Sequence, residues 1–372
     1  MNIKSLLLGS AAALAVVSGA QAADAVVAAE PEPMEYVKVC DAYGTGYFYI
    51  PGTETCLKIG GRVRFDLQGA NSYALNSDNG WRTKSRAEIY MDSASDTEYG
   101  PLKTQFVGRL DFNGTYNDGE GTNTSLVAAN ISIAGFTVGL TDSLFTTMTN
   151  YAGDIINDDV VSYGQFEVNQ INYVYDNGAG LKVGLGLEAD DIERDARRFD
   201  PTFVKANGDV GGWVDTTVVS NGEDYIPNVT GGIGYTAGSF GVAVVGGYDE
   251  RLDEGAIKGR VDGNFGAFSA FAMAAWSSSG NKTNNYAPGD ASGAAWGDWA
   301  AWAGVGYKAA DNLGFNAQIA GTDNDTLAVA ANVKWNPVAG LLIQPEVTYT
   351  TFDNKIADGD QWNGMLRFQR TF

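Results

Sequence analysis

The feature that most constrains this chain is a two-residue rhythm of apolar and polar side chains that returns along most of its length. From Leu57 to Gln68, apolar residues occupy alternate positions and charged or amide residues lie between them, with one pair of glycines. Similar alternation runs from Leu102 to Phe112 and from Leu341 to Thr350. A period of two puts each set on its own face of a β-strand. Any single stretch also fits a half-buried strand of a soluble sandwich, so the number of strands has to decide.

Sixteen segments are predicted as strands. They are 57–69, 80–92, 101–113, 123–134, 136–142, 167–177, 180–190, 229–237, 239–249, 255–264, 266–277, 298–308, 313–322, 325–336, 340–352 and 362–372. Most approach the roughly 9–11 residues that a tilted membrane-crossing strand requires. Short turns alternate with longer polar connections, the longest at 143–166, 191–228 and 278–297. This sorting is typical of bacterial barrels, so the sequence predicts an all-β, 16-stranded antiparallel transmembrane β-barrel.

The first 22 residues have the layout of a secretory signal peptide. Lys4 precedes an apolar run from Leu6 to Val17, and Ala20-Gln21-Ala22 is a small-residue cleavage box. Beyond it, no apolar run approaches the roughly 18 residues of a membrane-spanning helix. We therefore predict a signal peptide at 1–22, an N-terminal periplasmic segment at 23–56 and a barrel at 57–372, in an exported outer-membrane protein.

Charge and histidine content exclude several classes of function. The net charge of −21 argues against nucleic-acid binding, which needs clustered Lys and Arg to contact phosphates. The chain contains no His, so a Ser-His-Asp triad is impossible and the usual general base is missing. Two Cys without His make a poor metal site. The sequence thus predicts a protein that is not an enzyme and that uses no cofactor and no metal.

The segment from Val39 to Leu57, VCDAYGTGYFYIPGTETCL, resembles the N-terminal signature of alphaproteobacterial porins of the Brucella and Rhizobium type. The signal peptide, the Glu30–Pro33 stretch, the Gly-rich body and the Arg-Thr-Phe end are similar too. The resemblance implies a homotrimer of 16-stranded barrels in outer-membrane lipid and lipopolysaccharide. Each barrel would hold a pore narrowed by a long third loop, through which small hydrophilic molecules and ions diffuse passively. A substrate-specific channel and a plugged structural or adhesive barrel stay open as alternatives.

Charged residues suggest what the third long connection does. The connection 143–166 carries three candidate constriction residues, Asp154, Asp158 and Asp159. Seven basic residues of the first three strands lie opposite in parity to the apolar set: Arg62, Arg64, Arg82, Lys84, Arg86, Lys103 and Arg109. If the loop folds inward, acids face bases across the lumen, and the transverse field filters solutes by charge. In the alternative, the loop is external and the arginines merely pair with Asp66, Glu88 and Asp111. The acid excess predicts a mild preference for cations.

Three local predictions complete the sequence reading. Cys40 and Cys56, the only cysteines of an exported chain, are predicted to form a disulfide, with two free thiols as the alternative. Residues Asp190–Arg198 are predicted as solvated loop, with a short charged helix as the alternative. Aromatic residues near strand ends are predicted to form girdles at the membrane interfaces. They are Trp81, Tyr235, Tyr248, Trp276, Tyr307, Trp335, Tyr349, Phe352 and Trp362.

Overall fold

Nineteen strands account for most of the described chain, which in the computed structural model comprises residues 37–71, 80–114, 121–189, 194–204, 210–218 and 226–372. They are β1 (Phe48–Tyr49), β2 (Cys56–Asn71), β3 (Gly80–Ser95), β4 (Leu102–Gly114), β5 (Gly121–Ile133), β6 (Phe136–Thr141), β7 (Val168–Asp176), β8 (Leu181–Glu188), β9 (Arg194–Val204), β10 (Val210–Val218), β11 (Asn228–Ala237), β12 (Phe240–Asp249), β13 (Glu254–Phe265), β14 (Phe268–Ser277), β15 (Trp299–Ala310), β16 (Leu313–Thr322), β17 (Thr326–Val338), β18 (Leu341–Asp353) and β19 (Asp358–Thr371). One short helix, α1 (Leu144–Thr147), and a 3₁₀ turn at Asp41–Tyr43 accompany them. No helix in the described ranges is long and apolar enough to cross a membrane.

Sixteen of these strands close into one barrel. Strands β2 to β8 and β11 to β19 each pair antiparallel with the next, and β8 pairs with β11 across the longest connection. The sheet closes where β19 pairs with β2. Closure gives the backbone groups at both edges a hydrogen-bonding partner, as a sheet surrounded by hydrocarbon requires. The predicted 16-stranded antiparallel barrel is confirmed, and the sixteen predicted segments coincide with these strands to within a few residues at each end.

The alternation separates an apolar exposed face from a polar buried face. On β3, Ile89 and Met91 are exposed whereas Glu88 is buried, and on β8 Leu187 is exposed whereas Glu188 is buried. A soluble protein shows the reverse arrangement. Exposed apolar and buried polar residues are typical of a barrel whose outer wall contacts lipid and whose inner wall contacts water. We call the two sets the outer face and the polar face.

Aromatic rings gather at the strand ends, mostly on the outer face. Phe268 and Tyr307 stack with their ring centroids 4.6 Å apart, and those of Tyr349 and Trp362 lie 4.8 Å apart. Phe352 departs from the predicted girdle because its position on β18 puts it on the opposite face, where it is buried. Strand parity therefore overrides proximity to a strand end.

Connections alternate in length as expected. Ala134 and Gly135 form a two-residue hairpin turn with both φ angles positive, 52° and 89°. Equally short turns occupy 238–239, 266–267, 311–312 and 339–340, all at the same end of the barrel. The long connections 142–167, 189–227 and 278–298 lie at the other end. Antiparallel pairing thus puts the tight turns on one rim and the large loops on the other.

The N-terminal region is tied to the first barrel strand. Cys40 and Cys56 form a disulfide, as predicted, and Cys56 is the first residue of β2. Phe48 and Tyr49 of β1 pair with Leu57 and Cys56, respectively. Part of the segment predicted to precede the barrel therefore adds a short strand to its sheet.

The longest connection contains a hairpin that the sequence analysis missed. Strands β9 and β10 pair with each other in an antiparallel ladder from Arg194–Val218 to Val204–Val210. Residues 194–198 of the predicted loop, or alternative helix, belong to β9, so both interpretations are wrong there; 190–193 lie outside the described residues. The physical reason is that β-favouring residues downstream supply a partner strand, which outweighs the local charge pattern.

The main apolar cluster lies against the polar-face side of β12–β16. It joins buried residues of the connections 142–167 and 278–298 to small or apolar strand residues. Its larger members are Phe145, Val161, Tyr163, Val245, Met273, Tyr286, Trp296 and Trp302. The ring of Tyr286 lies directly over Gly247, where an added Cβ would come within 2.4 Å of it. Two connections are therefore packed together onto one side of the barrel.

Candidate functional site

Basic side chains form rungs across the polar face of four adjacent strands. The register places Arg62 opposite Glu88 and Arg64 opposite Arg86, and Asp66 lies between Lys84 and Arg367. Two further members of the set, Arg82 and Arg109, lie on β3 and β4. We call these seven residues the basic wall: Arg62, Arg64, Arg82, Lys84, Arg86, Arg109 and Arg367. It extends over β19, β2, β3 and β4, and so crosses the seam where the barrel closes.

Three carboxylates hold much of the basic wall in place. Arg86 forms a two-pronged pair with Asp111 at 2.7 and 2.8 Å, and Lys84 contacts the same carboxylate at 3.1 Å. Arg367 pairs in the same way with Asp66 at 2.8 and 2.9 Å. Glu88 forms ion pairs with Arg62 and, at 2.7 Å, with Arg109. Bidentate guanidinium–carboxylate pairs fix the side chains rigidly along the wall.

Two members of the basic wall contact neutral amides instead. Arg64 donates from Nε and Nη2 to Gln369 Oε1 at 3.0 and 2.9 Å. Arg82 donates from Nε to Gln68 Oε1 at 2.6 Å. An amide oxygen orients a guanidinium without cancelling its charge.

The connection 142–167 is anchored at its start by a buried glutamate of β8. Ser143 Oγ accepts from Phe145 N at 3.0 Å and so caps α1. Glu188 in turn accepts from Ser143 Oγ at 2.8 Å and from Leu144 N at 3.0 Å. The same carboxylate accepts from Thr230 and Tyr286. A fully buried carboxylate with four donors fixes α1 firmly to the strands.

The middle of this connection is held by strands β17 and β18. Glu346 accepts from the backbone amides of Ile156 and Asn157 at 2.5 and 2.8 Å. Lys334 forms an ion pair with Asp154 at 3.0 Å, and Asn332 donates to the Asp154 carbonyl at 2.7 Å. Asp154 therefore pairs with β17, not with the basic wall.

The last part of the connection is packed against β13, β15 and the connection 278–298. The fully buried Lys258 donates to the carbonyl of Tyr163, and its Nζ lies 4.4 Å from the ring centroid of Phe145. Trp302 donates to the carbonyl of Val161 at 2.8 Å, and Trp296 donates to that of Ser162 at 3.0 Å. Backbone bonds between 160–162 and 289–291 complete the contact.

A cavity of about 580 Å³ separates the connection from the basic wall. Five wall residues line it, with Asp66 of β2 and, from the connection, Ile156, Asn157 and Asp159. Asp158 lies beside Asp159 and accepts a hydrogen bond from Tyr163 at 2.8 Å. Burial, reinforced by the charge of Asp159, raises the pKa of Asp158 to about 7, although the bond from Tyr163 acts in the opposite direction. An ionisable group of the connection thus titrates near neutral pH.

Comparisons with known proteins identify the family of this chain. The profile of the family described as "Porin subfamily" matches residues 24–368. Porin Omp2b of Brucella abortus is 41% identical over 385 residues, covering 100% of both chains. The chain belongs to the porin family. It is an outer-membrane diffusion porin, as its sequence predicted, and family membership implies a channel rather than an enzyme.

Solved structures support the porin fold at low sequence identity. The outer-membrane channel DcaP of Acinetobacter baumannii matches with a TM-score of 0.62 at 16% identity, covering 87% of this chain and 99% of that one. OmpT of Vibrio cholerae, in a trimer form, matches with a TM-score of 0.52 at 14% identity, covering 86% of this chain and 100% of that one. At these identities the likeness concerns the barrel fold alone.

The structure separates the predicted site residues of this porin into three groups. Arg64, Arg82, Lys84, Arg86 and Asp159 line one cavity, and Arg62 and Arg109 lie on the next rung of the same wall. Lys103 lies near the start of β4, opposite Ala94 and Ser132, beside a short turn. Asp154 and Asp158 contact Lys334 and Tyr163 instead. The pairing of arginines with Asp66, Glu88 and Asp111, predicted as the alternative, occurs together with the shared cavity.

Sequence reasoning missed four charged residues of this porin. Arg367 joins the basic wall because β19 closes onto β2, a neighbour relation that an even barrel could have suggested. Glu188, Lys258 and Glu346 anchor the connection 142–167 from strands β8, β13 and β18. Their parity marked them as polar-face residues, but alternation contains no signal for which loop a strand residue contacts.

Proposed function

We propose that this porin is a passive pore for small hydrophilic solutes and ions, narrowed by the connection 142–167 folded into its lumen. The observation that carries the proposal is the reach of that connection. Tyr163 contacts Lys258 of β13, whereas Asp159, four residues earlier, shares a cavity with Arg82 and Lys84 of β3. In the barrel order, β3 and β13 stand on opposite sides. A segment that contacts the polar face on both sides supports an inward fold.

The narrowed passage would filter by charge. Asp159 faces the basic wall across the cavity, and opposite charges fixed on facing walls orient water and polar solutes. In this proposal, Asp154 and Asp158 contribute negative charge from the connection, and Arg62 and Arg109 extend the positive side. Lys103 would act nearer the rim of the short turns. A cavity of about 580 Å³ that stays open beside the connection supports passage rather than a plugged barrel.

Export and assembly belong to the same proposal. Residues 1–22 would be removed as a signal peptide, 23–56 would form a periplasmic segment, and 57–372 would span the outer membrane among lipid and lipopolysaccharide. A homotrimer is supported by the resemblance of the chain to trimeric porins and by the barrel of Vibrio cholerae OmpT in its trimer form. Mass spectrometry of the purified protein should find Ala23 as the first residue, and Met1 would contradict the cleavage.

Single-channel recording in a planar bilayer tests the pore directly. Insertion of the purified protein should produce conductance steps in groups of three, linear in salt concentration. A barrel that inserts without conducting would support the plugged alternative. Saturation of conductance by one solute class would favour a substrate-specific channel.

A further inference from the structure

We propose that the lumen cavity lined by Arg64 and Arg82 is an oxyanion-binding subsite, which makes this pore favour anions although the chain is strongly acidic. The ligand class is a small solute bearing a carboxylate or phosphate group. The inference rests on the proposed function, since an ion has to enter the lumen to reach these side chains. It reverses the cation preference that the net charge of −21 predicts.

Within the described part of the chain, the guanidinium groups of Arg64 and Arg82 hydrogen-bond to amides and not to carboxylates. Gln369 and Gln68 orient them through amide oxygens, and these contacts bring no negative charge. Arg64 also lies directly opposite Arg86 in the register of β2 and β3. Like charges at directly opposed positions destabilise a sheet, and because Arg86 is paired with Asp111, Arg64 is the guanidinium of this rung that is available to an anion.

The surface that faces the cavity is mainly basic. Five basic residues line the cavity, against two acidic ones, Asp66 and Asp159. The side chains of Glu88 and Asp111 are 1% and 10% exposed, and those of their basic partners Arg86, Arg109 and Lys84 are 15%, 20% and 38% exposed. The carboxylates are therefore less accessible than their basic partners, and a solute in the cavity contacts mainly basic side chains.

The size of the cavity and the screening of distant charges by salt both favour a small oxyanion at this wall. About 580 Å³ is room for a small organic acid with several waters, each of which takes about 30 Å³ in the liquid. Guanidinium forks match carboxylate and phosphate geometry through paired hydrogen bonds. Salt screens exposed charges beyond about 8 Å at physiological ionic strength. Acidic residues on outer loops therefore act weakly on an ion at this wall.

The test compares the unaltered protein with the double variant Arg64→Gln/Arg82→Gln in a planar bilayer. In a potassium chloride gradient, the zero-current potential of the unaltered protein should show preference for chloride, and the double variant should lower the chloride-to-potassium permeability ratio at least about threefold. Lys308→Gln is the matched control, because Lys308 lies at a strand end and pairs with the exposed Asp311. This control should leave the ratio unchanged.

A second readout detects binding itself. Potassium citrate added at low concentration should reduce the chloride current of the unaltered protein but not that of the double variant. Inorganic phosphate in the same experiment tells whether carboxylate or phosphate binds better.

Two results would overturn the subsite. A conducting pore that prefers potassium, or a double variant with unchanged ratio and unchanged citrate block, would refute it while leaving the diffusion pore intact. A protein that inserts but does not conduct would remove the proposed function and this inference together. Unheated electrophoretic mobility should match between variants, which confirms that each barrel is folded.

Discussion

The two sides of this barrel share the same strand pattern but differ in what their inner faces do. Along β12–β16 the polar face carries small and apolar residues such as Ala300 and Met273, and two connections pack onto it. Along β19 and β2–β4 the same face carries the basic wall beside an open cavity. Alternation therefore decides only which residues point inward. Side-chain size and charge then decide whether the inner wall supports a packed layer or borders solvent.

The largest expected effect comes from breaking the packed side. Trp302→Ala removes a buried indole that donates to the Val161 carbonyl, and it should lower the free energy of unfolding by roughly 3–5 kcal/mol. The connection 142–167 should loosen with it, so the mean single-channel conductance should rise and become noisier. Urea titration in detergent measures the first effect and bilayer recording the second. Trp335→Ala, on the outer face, should leave the conductance unchanged.

A somewhat smaller effect is expected where the connection leaves the packed side. Glu346→Ala removes the acceptor of the amides of Ile156 and Asn157, each of which would then cost about 1–3 kcal/mol if left unpaired. The middle of the connection 142–167 should then detach from β18 and leave a wider passage. A liposome-swelling assay should show this as faster uptake of neutral sugars. Glu346→Gln keeps one acceptor oxygen and should fall between the two. Equal sugar uptake in all three proteins would show that Glu346 does not hold the constriction.

A pH titration sharpens the contrast by changing one charge of the connection 142–167, next to the cavity residue Asp159. Because the pKa of Asp158 is raised to about 7, its carboxylate becomes protonated as the pH falls from 8 to 6. Loss of negative charge should shift the zero-current potential toward anions over that interval. Asp158→Asn should behave at pH 8 as the unaltered protein does at pH 6, without a further shift on acidification. A shift that persists unchanged in Asp158→Asn would assign the titration to another group.

The smallest effect is expected at Lys103, outside both regions. Lys103→Gln should change the free energy of unfolding by less than about 0.5 kcal/mol and leave the chloride-to-potassium ratio within experimental error. The same bilayer gradient measures it. A change in this ratio as large as that of the double variant Arg64→Gln/Arg82→Gln would mean that the basic wall extends to the rim.

The fold was readable from the sequence because each barrel strand repeats the same local pattern. The sixteen segments, their order and the inward parity of Arg62, Arg64 and Arg86 followed from a period of two. The loops followed no such rule. Trp296 and Tyr286 lie in a stretch rich in Gly, Asn and Ser, and nothing local shows that their rings fill the space beside Val161.

The candidate site was predictable to the extent that it depends on parity. Asp154 and Asp159 have the same charge and lie five residues apart, yet one contacts β17 and the other lines the cavity beside the basic wall. That difference is set by Glu346, which fixes the two amides between them from a strand almost two hundred residues later. Long-range hydrogen bonds of this kind have no sequence period.

The seam between β19 and β2 has a consequence for biogenesis. Arg367 reaches Asp66, and Gln369 orients Arg64, across 301 and 305 residues of chain. Such contacts form only when the last strand pairs with the first. The hydrogen bonds that fix Arg64 and Arg367 are therefore completed only when the barrel closes, so their formation in a folding reaction should report closure.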